Sequence, residues 1–113
     1  MDPGQLQALC GDLGPHAAED LICRAMEEMA HRLCQVETLA RKGQRVELRK
    51  GLRALGAIAD QLGMTGVAAV ARDVVRCIDD DDPVAEAATL ARLARSGESA
   101  LHALCDLQDL SGL

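Results

Sequence analysis

Leu48, Leu52, Leu55, Ala59 and Leu62 recur at spacings of four, three, four and three. At about 100° per residue they fall on one narrow stripe of a helix. Arg49, Lys50, Arg53, Ala57 and Asp60 lie on the opposite side. The pattern predicts a core-facing helix over Gln44–Gly63 with a basic back that carries small residues. What such a helix can pack against is restricted further by the absence of Phe, Tyr and Trp from a chain that is 49% hydrophobic. The core has to be built from Ala, Leu, Val and Met, which suit closely packed helices better than a β-sandwich.

The same periodicity runs through the rest of the chain. Leu21, Ala25, Met29, Leu33, Val36 and Ala40 make a stripe over Ala17–Lys42. Arg41-Lys42-Gly43 places cations at that helix's negative end and a glycine just past it. Val67, Val70, Ala71, Val74 and Ile78 mark a third helix over Met64–Ile78. Ala87, Leu90, Ala94, Gly97, Leu101 and Leu104 mark a last one over Pro83–Leu107, with Asp82 as N-cap and Pro83 at the first helical position. Asp2-Pro3 opens a short N-terminal helix that Gly14-Pro15 ends. The expected fold is all-α: one domain over 1–113, an up-down four-helix bundle over 17–107 with a short extra helix over 1–14.

The central helix carries a resemblance to a known family. Leu62-Gly63 is similar to the Leu-Gly that closes the second long helix of histidine-containing phosphotransfer (Hpt) domains, and Leu55 is similar to the leucine of their His-x-Leu-Lys-Gly motif. The order and lengths of the elements from about residue 17 to 107 follow the family as well. Counting back from the two anchors puts Arg53 where the phosphoryl-accepting histidine stands in the family, Gly56 where the lysine stands and Ala57 where the glycine stands. A guanidinium offers no nucleophilic lone pair, so arginine cannot replace that histidine. The resemblance therefore implies the scaffold of bacterial two-component phosphorelays without the acceptor, and not an enzyme.

Charge narrows the partners. The net charge of −6 disfavours nucleic acid, which needs a basic face, and no aromatic side chain is present to stack on bases. Yet Arg41, Lys42, Arg45, Arg49, Lys50 and Arg53 gather six of the twelve basic residues into one short stretch. An acidic protein with one basic stripe fits a partner with an acidic pocket. No apolar run reaches the ~20 residues of a membrane span, and the N-terminus lacks a signal-peptide layout, so a cytoplasmic protein without membrane contact is expected. The five cysteines contain no CxxC and read as small apolar fillers in a reducing compartment. Asp79–Asp82 lacks the alternating ligands, glycine and closing glutamate of a calcium loop. No metal or cofactor is expected.

Three functions follow. The first is a non-catalytic Hpt-like module that docks a response-regulator receiver domain or a histidine kinase through Arg49, Lys50, Arg53, Gly56, Ala57 and Asp60. The resemblance implies that a receiver's active site is an acidic pocket, which Arg53 would enter. In the second, phosphotransfer persists on His31, the histidine expected to be exposed on the first long helix. In the third, the chain is a structural or dimerising bundle. A monomer or weak dimer is expected.

Overall fold

The computed structural model describes residues 15–111, with side chains for 17–106. The expected helix over 1–14 lies outside the described residues. Four helices follow in order: α1 (Pro15–Lys42), α2 (Arg45–Gln61), α3 (Thr65–Asp79) and α4 (Pro83–Ser111), and there is no strand among the described residues. α1 starts slightly earlier and α4 ends later than periodicity indicated. α1 packs on α2, α2 on α3, α3 on α4, and α4 returns to α1, so the four helices close a ring around one core.

Each of the three connections is built the same way. Gly43, Gly63 and Asp81 take positive φ of 69°, 73° and 53°. Their N–H groups donate to the carbonyls of Ala40, Asp60 and Ile78 at 3.2, 3.1 and 3.1 Å. The next residues donate one carbonyl further back: Gln44 to Leu39 at 3.2 Å, Met64 to Ala59 at 2.8 Å and Asp82 to Cys77 at 3.0 Å. These are Schellman closures, which satisfy carbonyls that a helix end leaves open. The carbonyls of Gln44, Met64 and Asp82 then accept from Leu48, Ala68 and Glu86, so the residue that closes one helix also starts the next. Asp82 additionally caps α4, its Oδ1 accepting from the Ala85 N–H at 3.1 Å.

Two turns use glycine for the left-handed residue and the third uses aspartate. A Cβ in that conformation costs about 1–2 kcal/mol. Gly63→Ala is therefore expected to lower stability by about 1–2 kcal/mol, and Asp81→Gly to raise it by about 1 kcal/mol or less. Urea midpoints at constant m check both.

The central stripe is placed as expected: Leu52, Leu55 and Ala59 are fully buried, and Leu48 and Leu62 nearly so. α3 presents Val67, Val70, Ala71 and Val74, and adds Ala68. In α1 Ile22 takes the place expected for Leu21, which is only half-buried. α4 departs more. Leu93, Gly97, Ala100 and Leu104 are its buried line, while Ala87 is exposed and Leu90, Ala94 and Leu101 are half-buried. α4 packs against both α1 and α3, so its apolar face is wider than one stripe, and an alanine-rich helix does not single out the deeper side. Gly97 permits that packing: a Cβ there would lie 2.6 Å from Leu33 Cδ1 on α1. Cys23 and Cys77 are half-buried fillers, but Cys34 and Cys105 are exposed, against expectation. Cys10 lies outside the described residues.

Candidate functional site: the outer face of α2

With the core stripe turned inward, α2 turns Val46, Lys50, Arg53 and Ala57 outward, all four exposed. They follow at spacings of four, three and four, within an arc of about 60° and over about 16 Å of helix axis. Helix geometry alone sets this face, because burying Leu48, Leu52 and Leu55 fixes the rotation of the helix.

Side chains from α3 and α4 then decide which cations on α2 stay available. Arg49 donates Nε–H to Asp79 Oδ1 at 2.8 Å and Nη2–H to Oδ2 at 3.0 Å, a forked pair joining α2 to the end of α3. Arg45 makes a second fork to Glu86 in the first turn of α4, with Nη2 2.6 Å from Oε1 and Nη1 3.3 Å from Oε2. α2 and α4 do not pack on each other, so this bridge reaches across one end of the bundle. The Glu86 side chain is only 13% exposed. Asp60 pairs with Arg72 of α3. Among the described residues Lys50 and Arg53 form no ion pair, and they are the cations this face presents.

Three of the expected partner-binding residues are thus reassigned. Arg49 and Asp60 are engaged by α3. Gly56, expected on the outer side beside Arg53, is buried against α3, and a Cβ there would meet Ala71 Cβ at 3.9 Å. It serves the approach of α2 to α3, not access from outside. Lys50, Arg53 and Ala57 share the exposed face as expected, and Val46 joins them. Val46 follows from its place one turn before Lys50, but an apolar residue on a polar face carries no charge signal to single it out.

The Arg49 hydrogen bonds hold the Asp79 carboxyl below its ordinary range; desolvation opposes this, and attraction to Arg49 and Arg53 adds to it. Asp79 in turn raises Arg49, by hydrogen bonding and by charge, as Glu86 raises Arg45. A depressed carboxyl pKa means stability that is present above the unfolded value and is lost as pH falls through the folded value. Asp79→Asn is accordingly expected to melt lower than the parent at pH 7, and the two melting temperatures are expected to converge below about pH 4. Melting curves from pH 7 to acid check the sign.

His31 is exposed on α1, a different helix from the basic face. Its chain neighbour Arg32 is held by Glu28 at 3.0 Å. Elsewhere an apolar groove of about 330 Å³ lies between α1 and α4, lined by Leu33, Val36, Ala40, Leu90 and Ala94. Glu37 and Arg41 of α1 also line it. Among the described residues no group of three or more His, Cys, Asp or Glu is placed to hold a metal ion, and no helix is long and apolar enough to cross a membrane.

Fold and face together define, over the described residues, an all-helical four-helix arrangement with a presented two-cation stripe. No protein-family model matches the chain, and no curated protein or solved structure matches it either.

Proposed function

We propose that this protein is a non-catalytic docking module of the Hpt type, which binds a receiver domain or a histidine kinase through the outer face of α2. The observation that carries the reading is Arg53. It stands exposed in the middle of α2, at the position the sequence resemblance gives to a phosphoryl-accepting histidine, and among the described residues no carboxylate pairs with it. The ring of four helices joined by tight turns supports the up-down bundle that the resemblance implies. Ala57, one turn on, keeps the surface low enough for a partner to approach the guanidinium.

The docking chemistry is electrostatic. A cluster of carboxylates built to hold Mg²⁺ attracts a guanidinium, which makes planar, forked hydrogen bonds to carboxylate oxygens. Arg53 in such a pocket occupies the site of the metal and of the phosphoryl group, and so holds the partner in one phosphorylation state. Lys50 adds long-range attraction and speeds encounter. Arg45 and Arg49 act inside the molecule, fastening α2 to α4 and α3.

Titration against a panel of receiver domains tests the reading. Binding is expected to weaken as Mg²⁺ is added, because metal and Arg53 compete for the same carboxylates, and to weaken with salt. Binding that Mg²⁺ leaves unchanged or strengthens would contradict an arginine in the metal pocket.

A further inference from the structure

Val46 and Val84, 69% and 80% exposed, are the large hydrophobic side chains left in solvent among the described residues. Each stands in a patch of one charge sign. Val46 shares the outward arc of α2 with Lys50 and Arg53. Val84, in the first turn of α4, follows Asp80, Asp81, Asp82 and Pro83, all exposed. Among the described residues Asp80 and Asp81 make no ion pair, and Asp82 uses one carboxylate oxygen to cap α4.

The two patches are neighbours on the molecule. The forked bridge between Arg49 and Asp79 lies between them, next to Lys50 on one side and Asp80 on the other. Asp81 is near enough to Arg45 to act on its charge. Within one chain, among the described residues, no ion pair joins Lys50 or Arg53 to Asp80 or Asp81, while Arg45 and Arg49 hold Glu86 and Asp79. Each patch is therefore the complement of the other in charge and, through its valine, in apolar surface.

We propose that the basic stripe of one copy docks on the acidic turn of a second copy. The contact is reciprocal: Lys50 and Arg53 of each copy face Asp80 and Asp81 of the other, and Val46 of each is covered by Val84 of the other. A contact in which patch meets counter-patch in both directions is closed by a twofold axis and stops at two copies. Here the axis passes near the bridge between Arg49 and Asp79. Nucleic acid and anionic lipid are the poorer occupants, because the acidic turn beside the stripe repels both. Two valines and a few exposed charges give a weak, salt-sensitive pair. Because the pair covers Arg53, self-association and docking of another partner exclude one another, although the inference does not depend on what that partner is.

Sedimentation of the full chain in reductant tests this, between about 10 µM and about 1 mM protein in about 20 mM and about 500 mM salt. In low salt the average mass is expected to rise with concentration from 12.0 kDa towards twice that value, and to stay at 12.0 kDa in high salt. Val46→Asp, the pair Lys50→Glu with Arg53→Glu, and the pair Asp80→Lys with Asp81→Asn are each expected to stay monomeric. Asparagine is chosen at 81 because it tolerates the left-handed conformation there. An equimolar mixture of the two charge variants is expected to associate again, since each retains the patch the other lacks. Circular dichroism melts confirm that the variants fold. A mass fixed at 12.0 kDa at the highest concentration in low salt would overturn the proposal. So would association that survives in the variants, a mixture that stays monomeric, or an open series of larger species.

Discussion

Arg53→Glu is expected to weaken binding to a receiver domain by about a hundredfold or more while leaving the fold unchanged. The reversal removes a guanidinium from an acidic pocket and puts a carboxylate in its place, so the loss combines a missing attraction with like-charge repulsion. Arg53→Lys is expected to fall between the parent and Arg53→Glu, since an ammonium keeps the charge but not the planar fork. Lys50→Glu is expected to lose less and to act mainly on the association rate, as charges at an interface rim do. The side chain of Arg53 is exposed and carries no ion pair among the described residues, so the stability of Arg53→Glu should match the parent within about 0.5 kcal/mol, as is usual for such sites. Calorimetric titration and a melt of the same sample separate the two effects. Equal affinity of the parent and Arg53→Glu would remove Arg53 from the interface.

The largest effect on stability is expected at Leu52. It is fully buried at the middle of α2, in the cluster that also holds Met29, Val36, Leu55 and Val74. Leu52→Ala deletes buried methyl groups in a core with no aromatic ring to shift into the space, and comparable truncations cost about 2–5 kcal/mol. Single domains hold only about 5–15 kcal/mol in total, so this variant is expected to lose a large share of its stability, read as a lower urea midpoint at unchanged m. Ala57→Ser, on the outer face of the same helix, is expected to stay within about 0.5 kcal/mol of the parent. If the two were equally destabilising, the rotation assigned to α2 would be wrong.

That rotation was legible in the sequence because α2 is amphipathic over its whole length. Leucines at one spacing and charges at another define a single inward direction, and all five stripe residues are buried. α4 was less legible. It meets two neighbours, its small residues fit on either side, and Leu93 took a core position that periodicity had given to Leu90 and Ala94. The turns were half legible. Gly43 and Gly63 announced themselves, while Asp81, doing the same work, is hidden in a run of aspartates.

The candidate site divides along the same line. Lys50, Arg53 and Ala57 follow from the phase of one helix, which local sequence carries. The capture of Arg49 by Asp79 and of Arg45 by Glu86 depends on residues 30 and 41 positions away, which periodicity does not report. The helix order could have suggested it, since a bundle with tight turns brings the end of α3 and the start of α4 to the end of the molecule where α2 begins. Gly56 was misplaced for a different reason. A glycine carries no hydrophobic signal, so its neighbour Ala57 suggests the outer face, whereas its own angle points towards Ala71 of α3.

The central claim, docking without phosphotransfer, is tested most directly by mixing the protein with a phosphorylated receiver domain and following both intact mass and elution in size exclusion. The predicted result is co-elution with no gain of mass on this chain. A gain of one phosphoryl group, labile to mild acid and absent in His31→Ala, would contradict it and restore a catalytic role to α1.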